Sequence, residues 1–133
     1  MQPKPPMPMR ARESFKNRAF VERLGFALAG ISIVVQRERS FRTQCGLAVL
    51  SLLVTVTFGV GAVWAALVAL CVGLVLALEM MNAAIEYMID LLHPDVAIEI
   101  KHAKDAAAGA VLIASCSTAC VGLLMALAWL RLL

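Results

Sequence analysis

The sequence predicts an all-α integral membrane protein, with three transmembrane helices behind an N-terminal amphipathic surface helix. Three observations carry this. First, 62% of the 133 residues are apolar and only 16% are charged, with a mean hydropathy of +0.86. A soluble domain has about 45–50% and about 25%, so an ordinary soluble globule is excluded, and a disordered chain would be poor in apolar residues. Second, 36 residues without Asp, Glu, Lys or Arg separate Arg42 from Glu79, and residues 106–130 form a second uncharged run of 25. Third, Gly59-Val60-Gly61 interrupts the first run. A single span takes about 20 apolar residues, so the longer run holds two. The length allows one domain.

Taken in order, residues 1–13 predict a disordered tail: four of the chain's five prolines fall within the first ten residues, with no apolar segment of the kind that forms a cleavable leader. Over residues 14–37, Phe20, Leu24, Ala27, Ile31 and Val34 recur at spacings of 4, 3, 4 and 3, with Glu22 and Arg23 between them and Lys16 and Gln36 flanking them. That is helical periodicity with a basic polar side. A soluble bundle helix would show the same pattern. The position just ahead of a span favours a helix lying in the membrane interface.

The first span is expected over 43–60 and the second from 61, with a tight turn at the glycines. The second continues beyond its apolar end at residue 78 as a helix to about 90, and Pro94 ends it, because the residue before a proline disfavours the α region. Asp95 is placed to cap the next helix. That helix, 98–130, carries Lys101, Lys104 and Asp105 before its apolar part begins.

Nine of the twelve Lys and Arg residues lie in 1–42, and Lys101 and Lys104 lie in the 91–105 segment. The positive-inside rule therefore puts the N-terminus and that segment in the cytoplasm, and the turn near residue 60 outside. Basic residues beside a membrane meet anionic lipid headgroups, so the net charge of +3 gives no reason to expect nucleic acid. Cys45, Cys71, Cys116 and Cys120 all fall inside expected spans without C-x-x-C spacing and read as small apolar fillers. His93 and His102 lack metal-ligand spacing, and there is no phosphate-loop or dinucleotide-binding glycine motif.

Glu79, Asn82, Glu86 and Asp90 carry the chemistry. At 100° per residue they project at about 0°, 300°, 340° and 20°, one polar stripe on a single helix. The stripe starts where the apolar span stops. A carboxylate near the apolar core is costly, about 2.5–3.5 kcal/mol for a central Asp, and three acids on one face repel one another. A divalent cation is the natural compensation. The bland alternative is a solvated helix end pairing with Lys101 and Lys104. The Asn within the stripe, the small flanking Ala83 and Ala84, and Lys104-Asp105 at the same depth on the next span favour a site. Phosphoryl transfer needs carboxylates for Mg²⁺, a cation for the transferred group and a base beside the attacking hydroxyl. Glu86, toward the cytosol, is placed for metal and phosphates. Glu79, at the apolar boundary, is placed for a lipid hydroxyl.

Glu79-Met-Met-Asn82-Ala-Ala-Ile-Glu86-Tyr-Met-Ile-Asp90, with Ala103-Lys104-Asp105 and Ala107-Ala108-Gly109-Ala110-Val111, resembles the bacterial diacylglycerol kinase / undecaprenol kinase family. So does Glu38-Arg39-Ser40-Phe41-Arg42 ahead of the first span, with Gly30 before it. The resemblance covers about residues 20–130. It implies a small lipid kinase of the bacterial inner membrane that uses ATP and Mg²⁺. It also implies a homotrimer with active sites shared between subunits. Carried over by residue, it implies Glu79 as the base and Glu38 and Glu86 as metal ligands. Asn82, Lys104 and Asp105 match positions that contact nucleotide or organise the site, and Asp90 matches a nucleotide-side contact. One departure is Ala83, where the family usually has Ser or Thr. The stretch Asp90-Leu-Leu-His-Pro resembles the undecaprenol kinase branch, while Met-, Leu- and Val-rich span faces accept diacyl and polyprenyl chains equally.

A non-enzymatic oligomer, such as an ion or proton conduit, is the competing expectation. A conduit places polar groups along much of a span, whereas residues 61–78 hold none beyond Trp64 and Cys71. A homologue that has lost activity is a third, and Ala83 is its only support.

Overall fold

The computed structural model describes residues 19–92 and 97–130. It is all-helical over them: α1 (Phe20–Arg37), α2 (Arg39–Thr57), α3 (Ala62–Leu92) and α4 (Ile98–Trp129). The expected tail, the start of the surface helix at 14, and the roles given to Pro94 and Asp95 lie outside the described residues. The last three helices are each long and apolar enough to cross a membrane. The chain divides into two units, Met1–Ile33 and Val34–Leu133.

In the first unit the described residues are Ala19 and α1 as far as Ile33. Glu22 lies in its first turn, where the helix dipole favours a negative charge. Phe20, Leu24 and Ile31 of the apolar stripe are exposed.

The second unit begins with the last turn of α1 and a one-residue break. Glu38 has extended backbone angles, φ −97 and ψ 113, and stands at the N-cap of α2 without a side-chain cap bond. Helix C-terminal carbonyls have no intrahelical partner, and here Arg42 supplies one. Its Nη1 donates to Val35 O at 3.0 Å and Gln36 O at 3.1 Å, a cation where the dipole favours it. The helix thus starts at Arg39, ahead of the apolar stretch, because the charged turn 39–42 is needed to close the end of α1.

From there the chain runs back and forth, with α2 and α4 each packed on α3. The buried residues of α2, Phe41, Ala48 and Thr55, recur every seven positions. Those of α3 are Val68, Val75, Glu79 and Ala83, and those of α4 are Val111, Ala114 and Met125. These are narrow seams between close helices. The remaining helix surface is rich in exposed Leu, Val and Ile, which suits a bilayer rather than water.

The glycine turn forms as expected. Gly59 (φ 58) and Gly61 (φ 91) are both left-handed, a conformation that any residue with a Cβ adopts only under strain. At this end Trp129 Nε1 donates to Phe58 O at 3.1 Å. The two rings meet edge-on, centroids 5.1 Å apart at 86°, which ties the end of α4 to the end of α2. Hydroxyls within the spans are satisfied locally. Ser51, Thr55, Ser117 and Thr118 each donate to the carbonyl four residues earlier, at 2.7–2.9 Å, as polar groups in an apolar medium require. The four cysteines are free thiols.

Candidate active site

The site lies at the end of the helix group opposite the Phe58–Trp129 contact. Glu79 to Asp90 spans twelve residues of α3, about 16 Å along the axis. Exposure rises along it. Glu79 is 4% exposed, Asn82 and Glu86 are half-buried, and Asp90 is exposed. The stripe therefore runs from the packed interior of the chain to its polar end.

Three contacts organise it. Asn82 Nδ2 donates to Glu86 Oε1 at 3.1 Å, the i to i+4 pairing that one helix face permits. The amide's other atom, Asn82 Oδ1, is buried without a partner. An unpaired buried acceptor costs desolvation free energy, so this oxygen is available to a ligand's donor. Second, Lys104 on α4 is ion-paired and hydrogen-bonded to Asp90 on α3. The lysine expected on the neighbouring helix thus stands at the depth of the stripe's outer end. Third, Tyr87 donates its hydroxyl to Glu38 Oε1 at 2.6 Å, bringing the N-cap of α2 to the α3 turn that holds Glu86. The Arg37 guanidinium lies 5.8 Å from the Tyr87 ring centroid, a cation–π distance.

Beneath this layer Val34, Phe41 and Ala83 form an apolar cluster, with Cys45, Leu76, Met80 and Tyr87 packed against it. Ala83 is 2% exposed. The position where a hydroxyl was expected is therefore a close contact between α3 and the α1–α2 junction.

Not every candidate residue joins the others. Asp105 pairs with Lys101 at 3.4 Å on the exposed face of α4, an i to i+4 surface pair of small energetic weight. Glu79 has no ion pair among the described residues. The residue is buried, and a carboxylate in such a place is costly unless something pairs with it.

Among the described residues no three His, Cys, Asp or Glu side chains gather as a metal cage. Mg²⁺ does not demand one: it is held by one or two carboxylates, with water and substrate phosphates filling an octahedron. Glu38 and Glu86 fit that description. Glu38 is hydrogen-bonded to Tyr87, the chain neighbour of Glu86, so the start of α2 meets the turn of α3 that carries Glu86. The oxygen-only donor set suits a hard cation.

Sequence reasoning gave no role to Tyr87, Arg37 or Arg42. Tyr87 carried a signal: it is the chain's one tyrosine, although at 100° per residue it falls about 80° from Glu79, outside the stripe. The guanidinium of Arg42 turns back onto carbonyls six and seven residues earlier, a contact no helical spacing encodes.

A concavity of about 310 Å³ lies between α2, α3 and α4 and is lined by Gln44, Ser51, Val75, Ser115, Thr118 and Gly122 among others. Gln44 Oε1 is buried there without a partner. None of the candidate active-site residues lines it.

Comparison with known proteins identifies the family. A family model described as prokaryotic diacylglycerol kinase matches residues 25–126, a range that includes every candidate residue from Glu38 to Asp105. A diacylglycerol kinase of Synechocystis sp. is 36% identical over 98 residues, covering 73% of this chain and 56% of the relative. The chain thus spans just over half the length of that relative. With the family match extending over most of its length, this membrane protein belongs to the prokaryotic diacylglycerol kinase family.

Proposed function

We propose that this chain is a lipid kinase that transfers the γ-phosphate of ATP to the hydroxyl of a membrane lipid, either diacylglycerol or undecaprenol. One observation carries the reading. Glu79, a buried glutamate without an ion pair among the described residues, heads a polar stripe that leads out along one helix to a lysine of the next. Such a stripe gives a lipid alcohol and a cytosolic nucleotide a common meeting place at headgroup level.

In this reading Glu79 accepts the proton of the lipid hydroxyl as its oxygen attacks the γ-phosphorus. The bond to the β,γ-bridging oxygen breaks, and ADP leaves with that electron pair. Lys104 balances charge on the phosphate chain. Asn82 orients the nucleotide side of the site and holds Glu86 in place. Glu38 and Glu86 hold Mg²⁺, which when bound neutralises the triphosphate and fixes its geometry. Asp90 keeps Lys104 at the stripe, and Asp105 borders the nucleotide. Catalysis of this kind is mostly positioning and charge stabilisation. The reading includes a cytoplasmic site in the bacterial inner membrane, and a homotrimer in which a neighbouring subunit completes each site.

The test is purified protein in vesicles containing diacylglycerol, undecaprenol or neither, supplied with γ-labelled ATP and Mg²⁺. Label in a lipid phosphate is the expected result and names the substrate. Absence of label with both lipids, or ion flux in empty liposomes without ATP, would overturn the kinase reading.

A further inference from the structure

Glu38 occupies an N-cap yet makes no capping bond, so its side chain is not spent on the helix it begins. The carboxylate instead accepts from the Tyr87 hydroxyl at 2.6 Å, the short distance of an O–H donor on a charged acceptor. Tyr87 is itself immobilised. Its ring packs against the Val34, Phe41 and Ala83 cluster, and Arg37 sits over its face. A rigid phenol anchored in the packed layer therefore fixes one oxygen of a carboxylate that the backbone alone would leave free to rotate. The anchor is adjacent in the chain to Glu86, whose own Oε1 is fixed by Asn82. Each of two acidic side chains thus has one oxygen tied by a neutral donor and, among the described residues, one untied.

We propose that Tyr87 is a positioning residue: through its hydroxyl it orients the Glu38 carboxylate so that Glu38 and Glu86 together present oxygens to one divalent cation. This rests on the reading of those two glutamates as Mg²⁺ ligands. Donors that orient ligating carboxylates typically change metal affinity 10–100-fold when removed. A merely structural tyrosine, clasping the α1–α2 junction to α3, would change stability and leave affinity alone.

Tyr87→Phe separates the two, because it keeps the ring, its packing and the Arg37 contact and removes only the O–H. The measurement is binding of Mn²⁺ to the purified full-length protein with a non-hydrolysable ATP analogue, read by electron paramagnetic resonance. Glu38→Gln is expected to weaken Mn²⁺ binding, Tyr87→Phe to weaken it about 10–100-fold, and the double variant to bind no more weakly than Glu38→Gln alone. In turnover the Mg²⁺ midpoint should rise with Tyr87→Phe while KM for the lipid stays constant. Weakened binding in Glu38→Gln with unchanged binding in Tyr87→Phe would overturn the role of Tyr87 and leave the metal reading standing. Additive losses in the double variant would overturn it too, since Tyr87 would then act apart from Glu38. Unchanged binding in Glu38→Gln would overturn the metal assignment and, with it, this proposal.

Discussion

Lys104, near the start of α4, is ion-paired with Asp90, near the end of α3. The partners stand on either side of the connection between the two helices, so the pair closes that connection and sets where the lysine sits. The Lys104 side chain is 34% exposed and that of Asp90 is 65% exposed, so water screens the pair and it adds little stability. Its value is in position.

Two variants therefore separate the lysine from its holder. Lys104→Ala removes the cation proposed to meet the triphosphate, and kcat/KM for ATP should fall about 10²–10³-fold, the loss typical of a charge-stabilising group. Asp90→Asn leaves the lysine in place but untethered, and the fall should stay below about tenfold, expressed mainly in KM for ATP. Equal losses in the two variants would mean that Asp90 itself meets the nucleotide. Initial-rate kinetics at varied ATP read the difference.

Glu79 is assigned as the base, and it is buried. Glu79→Gln keeps the shape and removes the proton acceptor, so phosphate transfer should fall about 10²–10⁴-fold. The fold should survive, because the carboxylate has no ion pair among the described residues to lose, and a neutral amide is less costly to bury. Thermal unfolding in detergent should show Glu79→Gln at least as stable as the parent chain, and gel filtration should show the same oligomer. Near-normal labelling of lipid by this variant would reject the base assignment.

Much of this arrangement was legible because helical periodicity is a one-dimensional signal. The three spans follow from where charges are absent, the turn from Gly59 and Gly61, and the shared face of Glu79, Asn82, Glu86 and Asp90 from 100° per residue. Contacts between helices carry no such period. Nothing in the spacing states that Tyr87 reaches Glu38, 49 residues away, or that Arg42 folds back to cap α1. Ala83 illustrates the difference. Its small size predicts a close approach of a ligand or another helix, but only the structure shows that the neighbours are Val34 and Phe41.

The far end of the helix group provides a control. Trp129 joins α4 to α2 through its hydrogen bond to Phe58 O and its edge-on contact with the Phe58 ring. Trp129→Phe keeps a ring contact and loses the N–H donor, and should cost about 1 kcal/mol. Turnover should stay within twofold, since the candidate residues lie at the opposite end. A large loss of activity at unchanged stability would show that the two ends are coupled.

Ala83 supplies the last test, because its two substitutions differ in what the packing can absorb. Serine adds one oxygen, and in a helix its hydroxyl can donate to the carbonyl four residues earlier, here that of Glu79. Ala83→Ser should therefore change stability by less than about 1 kcal/mol. Leucine adds three carbons to a position 2% exposed and must push α3 away from Val34 and Phe41. Overpacking of this kind costs about 1–3 kcal/mol, and the displacement acts on the turn that joins Tyr87 to Glu38. Hydrogen exchange over residues 34–42 should rise in Ala83→Leu and stay at the parent level in Ala83→Ser, with the Mg²⁺ midpoint following the same order. Equal protection of that segment in both variants would mean that the cluster does not hold the junction, and that Glu38 is positioned by α2 alone.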